Sequence, residues 1–168
     1  MKQLIIILLL RVSTSLFGQS SDSLHINRNS IQFELLGNGI LYSINYERIF
    51  IAKPTHQFCY RAGISVIPNT LKLNTNWQLG LINELDLLIG QKKRFIEIGS
   101  GFTYWNNSYY NRTDGFYIPR LGFRYKFANN KSFIRIGFTP LIYVKIDSRV
   151  DLNPKFLPFG GITFGHSL

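Results

Sequence analysis

The chain has 168 residues, a length that fits one domain, and its 45% apolar, 15% aromatic and 17% charged content excludes a disordered polymer. Its one cysteine, Cys59, excludes an intramolecular disulfide and a cysteine-rich metal centre. The net charge of +10 invites a nucleic-acid reading, but no basic helix or basic-aromatic platform carries that charge, so no nucleic-acid partner is expected.

Residues 1–18 start with Lys2, continue through the apolar run Leu4 to Leu10 and end in small residues near Gly18, the layout of a secretory signal peptide. The apolar run is far shorter than the ~20 residues of a spanning helix, so cleavage near Gly18 is expected rather than anchoring. No cysteine directly follows that position, so no lipoprotein anchor is expected. Loss of Lys2 and Arg11 would leave a charge of +8. Residues 19–29 form a polar lead, and residues 30–168 form the folded domain.

Eight strand-like runs follow in chain order: Ser30 to Gly37, Ile40 to Phe50, His56 to Ile67, Asn76 to Leu88, Arg94 to Trp105, Gly115 to Phe127, Ser132 to Val144 and Leu157 to Ser167. The second shows the pattern, with Tyr42, Ile44 and Tyr46 on one side and Ser43, Asn45 and Glu47 on the other; a period of two is a strand. No segment beyond a turn or two has a helical period, so an all-β fold is predicted. Most runs exceed the five or six residues typical of soluble strands and match the ~9–11 tilted residues that cross a bilayer. The connections alternate in length. Residues 51–54, 90–93 and 128–131 are tight, whereas Pro68 to Thr75, Asn106 to Asp114 and Lys145 to Phe156 are long and polar, as in outer-membrane barrels. The exception is Gly37-Asn38-Gly39, read as a short hairpin turn among the long connections.

One strand face is apolar and aromatic, with Asn83 midway along the fourth run as its misfit. The other carries Glu34, Glu47, Arg61, Glu84, Asp86, Glu97, Arg120, Arg124 and Arg135, interleaved with glycines such as Gly63, Gly99, Gly137 and Gly161. Most lysines, including Lys53, Lys92, Lys93 and Lys131, lie in connections instead. A confined face favours the planar guanidinium, which forks onto carboxylates, so the polar face is predicted to be enclosed as a barrel-interior charge network. An eight-stranded barrel leaves only a side-chain-filled interior. Tyr42, Tyr46, Trp77, Tyr104, Trp105, Tyr109, Tyr110, Tyr117 and Tyr125 lie mostly near run ends, where rings with polar tips suit a membrane interface. These features predict an eight-stranded antiparallel up-and-down transmembrane β-barrel.

The blocks Glu34-Leu35-Leu36-Gly37-Asn38-Gly39, Tyr42-Ser43, Asn45-Tyr46-Glu47-Arg48, Arg61-Ala62-Gly63, Phe138-Thr139-Pro140 and Gly161-Ile162-Thr163-Phe164-Gly165 resemble those of small outer-membrane β-barrel proteins of Gram-negative bacteria. The resemblance covers nearly the whole of residues 30–168. It implies the fold, the outer membrane as location, outer-membrane lipid as surroundings and the barrel-assembly machinery as partner, with no activity to carry over. Leu168 stands where such barrels usually end on an aromatic residue.

Chemistry is sparse. Of the histidines His25, His56 and His166, only His166 adjoins a serine, Ser167, and neighbours along a strand point to opposite faces, which disfavours a lipid A hydrolase with a Ser-His pair. No catalytic residue, cofactor or metal is expected, because arginines match the carboxylates. A soluble ligand-binding barrel would need an apolar lumen. The expectation is a single-copy, non-enzymatic membrane protein whose outer loops make any contacts. Tyr109, Tyr110, Arg112, Lys145 and Arg149 are the contact candidates, and anionic lipopolysaccharide is their candidate partner.

Overall fold

The computed structural model describes residues 27–68, 77–107, 112–128, 131–144, 146 and 155–168. Ten antiparallel strands form one sheet: β1 (Asn29–Leu36), β2 (Tyr42–Ala52), β3 (His56–Pro68), β4 (Trp77–Gln91), β5 (Arg94–Asn107), β6 (Arg112–Lys126), β7 (Ser132–Phe138), β8 (Leu141–Val144), β9 (Phe156–Leu157) and β10 (Gly160–Ser167). Each strand pairs with the next through β6. Then β7 and β8 both pair with β6 as one interrupted stave, and β9 and β10 pair with β8 and β7 as another. β10 returns to β1, from Ser30 opposite Ser167 to Leu36 opposite Gly161, and closes the ring. The fold is therefore an eight-stranded closed antiparallel up-and-down β-barrel. Its only helical element among the described residues is a 3-10 turn at Gly37–Gly39.

Proline explains the two interruptions. Extending the registers Leu121–Phe138, Gly160–Phe138 and Leu141–Leu157 sets Pro119, Pro140 and Pro158 side by side on three neighbouring staves. Proline has no N–H to give to the ladder, so pairing stops on either side of this row. The Thr139 N–H still donates to the Phe159 carbonyl at 2.8 Å across the gap.

Four local differences from the sequence reading stand out. β5 and β6 stay paired as far as Asn107 opposite Arg112, so the long connection expected over Asn106 to Asp114 shrinks to residues 108–111. A register shift between Ile49 and Ile51 bulges β2, leaving Ile49 inside and both Phe50 and Ile51 outside. The Gly37–Gly39 turn is buried within the barrel rather than projecting from its rim. Trp105, read as an interfacial ring from its place near a strand end, is buried at 3% exposure inside. Its parity matches Thr103, also buried, and that alternation outweighs position along the strand.

Polarity is inverted relative to a water-soluble barrel. Outward side chains such as Ile44, Leu85, Leu121 and Ile136 are 55–60% exposed, while Glu34, Arg61, Glu97 and Arg135 are 0% exposed. Glycines permit this inward crowding. A Cβ on Gly137 would lie 2.9 Å from Arg120 Nη1, and one on Gly165 would enter the Phe133 ring.

Candidate functional site

The interior is stacked in three layers. At the tight-turn end, Ile49, Cys59, Leu88 and Phe95 form an apolar cluster with Ala52 packed against it. Lys126 lies beside this layer, its Nζ 4.9 Å from the centre of the Phe95 ring. At the long-connection end, Trp105, Phe116, Ile118, Leu141 and Tyr143 cluster with Ile40, Ile67 and Phe159. The paired arginines and carboxylates lie between the two apolar layers, while the buried Asp114 stands opposite Trp105.

The charged layer consists of two knots. In the first, Arg124 donates from Nη1 and Nη2 to the two oxygens of Glu47 at 2.7 and 2.6 Å, and from Nε to Glu97. Its guanidinium carbon lies 4.5 Å over the Phe133 ring. Arg135 pairs with the other Glu97 oxygen at 2.9 Å and lies 3.6 Å from Asp86. In the second knot, Arg120 bridges Glu84 and Glu34, the latter at 2.7 Å, and Arg61 pairs with Glu84 and, at 3.4 Å, with Glu34. Arg135 Nη2, 3.8 Å from Glu84, links the knots. Forked guanidiniums span two carboxylates in a way that an ammonium cannot, which accounts for arginine throughout.

The structure thus brings together Glu34, Glu47, Arg61, Glu84, Asp86, Glu97, Arg120, Arg124 and Arg135, each from a different height or stave of the wall. It adds Asn38, which sequence reasoning left in a hairpin turn. Asn38 donates to Glu84 at 2.9 Å, accepts from Arg120 at 3.2 Å, and its carbonyl accepts from Thr103 at 3.3 Å. The turn is held from below as well, since the Ser65 hydroxyl donates to the Gly39 carbonyl at 3.0 Å. The available signal was an amide flanked by two glycines, which lets the backbone fold inward. Of the outer-loop candidates, Tyr109, Tyr110, Lys145 and Arg149 lie outside the described residues, and Arg112 begins β6.

Two arrangements bear on chemistry. Glu47, Cys59 and Asp86 offer ligand atoms within 4.8 Å of one another, but Arg124 already holds both oxygens of Glu47 and Arg135 stands beside Asp86. A cation entering there would meet two guanidiniums. On the outer wall, His166 and Ser167 point to opposite sides, and His166 Nδ1 instead meets Ser132 Oγ at 3.1 Å. Comparison with protein-family models, curated proteins and solved structures finds no match.

Proposed function

We propose that this chain is a non-enzymatic outer-membrane β-barrel protein whose interior is packed solid and whose long-connection end faces outward. The observation that carries this reading is the inverted polarity. A wall of Ile, Leu, Phe and Tyr faces out, and an Arg/Glu lattice is shut inside. In water such a wall would expose apolar area far beyond that of ordinary monomers, whereas in lipid it is the favourable arrangement. The 15-residue strands β4 and β6 and the 14-residue β5 are long enough to cross, and the pairing of β10 with β1 closes the ring instead of leaving an open sheet in lipid. Trp77 and Tyr104 toward one end and Tyr125 and Phe127 toward the other supply interfacial rings. Recognition, through lipopolysaccharide or another external partner, would belong to the long connections.

The test is fractionation combined with gel migration. The expected result is recovery with outer membranes and a faster band in unboiled samples than in boiled ones, because a closed barrel resists detergent unfolding. Recovery in the soluble periplasmic fraction with identical bands would replace this reading with a soluble barrel.

A further inference from the structure

On β4 the outward series is Trp77, Leu79, Leu81, Asn83, Leu85, Leu87 and Ile89, so an amide stands at mid-height with three apolar residues on each side. On β5, Ser100 is likewise central between Ile98 and Phe102. Leu85 is opposite Ser100 and Asn83 is opposite Phe102, so Asn83 and Ser100 are diagonal neighbours. Both are already half-satisfied: the Tyr60 hydroxyl donates to Asn83 Oδ1, and Ser100 Oγ donates to the Tyr117 hydroxyl at 3.2 Å. Ala62 lies opposite Asn83 and Pro119 opposite Ser100, so the strip is low and flat among bulky neighbours.

Among the described residues, no further partner stands against the two Asn83 N–H donors and the Tyr117 O–H, or against the remaining lone pairs of Asn83 Oδ1, Ser100 Oγ and Tyr60 Oη, all on the exposed outer face. Lipid chains satisfy none of them, and an unsatisfied polar group at that depth costs several kcal/mol. The same strip holds donors and acceptors in comparable number, so it is complementary to itself. We propose that Tyr60, Asn83, Ser100 and Tyr117 seat a second copy of this chain about a two-fold axis, with the Asn83 amide of each copy donating to Asn83 Oδ1 or Ser100 Oγ of the other. An isologous contact needs a surface that fits itself, and small side chains let two walls approach closely. This departs from the single-copy expectation, and it rests on the membrane reading above.

Ser100→Cys tests it in isolated outer membranes, because Cys59 is fully buried inside and silent. Oxidation should yield a covalent dimer, whereas Ile162→Cys, on the opposite wall, should not. Sedimentation of the wild type in detergent should show dimers, and Asn83→Leu should weaken their association about tenfold while the folded gel band persists. A wild type that fractionates with outer membranes, shows the folded band and still sediments as a monomer without cross-linking would overturn the dimer and leave the membrane reading intact. Unchanged association of Asn83→Leu would also overturn it. Recovery in the soluble fraction would remove both.

Discussion

Arg124 touches two carboxylates and an aromatic face, all from inside the wall. Removing it takes the forked partner from Glu47 and leaves Glu97 only Arg135, both in a buried interior, so Arg124→Ala is expected to cost ~3–5 kcal/mol in urea unfolding from detergent, with Glu97→Ala similar. Arg124→Lys should recover little, since an ammonium cannot fork onto both partners. Lys53→Ala, at an exposed tight turn, should change stability by less than about 0.5 kcal/mol. The separation of arginine from lysine along the sequence was enough to place these side chains on an inward face, because each strand repeats every two residues. Which carboxylate each arginine holds was not legible. Glu47 and Arg124 lie 77 positions apart, and only the barrel's register brings them to one height.

The 3-10 turn and the interrupted staves are features of whole elements. Gly37 sits at φ 68°, and a Cβ there would lie 2.7 Å from Glu34 Oε1. Gly37→Ala therefore combines backbone strain with a clash against the charge lattice and is expected to cost ~1–3 kcal/mol in the same unfolding measurement. Beyond the row Pro119, Pro140 and Pro158, β8 and β9 pair among the described residues at Leu141–Leu157 and Ile142–Phe156, with the Tyr143 N–H donating to the Lys155 carbonyl at 2.8 Å. Amide hydrogen exchange should be faster at Ile142 and Tyr143 than at Leu85 or Ile98 in the continuous β4–β5 ladder; equal rates would mean that the proline row does not weaken the wall. Alternation across Thr139 and Pro140 reads as one unbroken strand, so the interruption was hidden in the pattern. The inward turn was hidden as well, because three residues of Gly-Asn-Gly describe a projecting hairpin equally well.

At the scale of the molecule, the three interior layers leave side chains at every height, so planar-bilayer recordings are expected to show no steady single-channel steps; reproducible conductance at neutral pH would mean that the charges line a water path. The same lattice has a kinetic consequence. Glu34 finds Arg120 86 positions later, and Glu47 finds Arg124 77 positions later, so acids of the first two strands meet these counter-ions only when β6 is in place. A pathway that delivered strands to lipid one after another would pass through states with naked carboxylates facing hydrocarbon. If the proposed membrane setting holds, the low-energy route is simultaneous, the ring closing as it enters the bilayer. Trp77 on the outer wall and Trp105 in the interior report the two halves of that event. During refolding into vesicles, single-tryptophan variants should follow one rate constant, the rim reaching lipid no sooner than the core finds its neighbours. A lag of one behind the other would mean that the chain crosses first and assembles its charges afterwards.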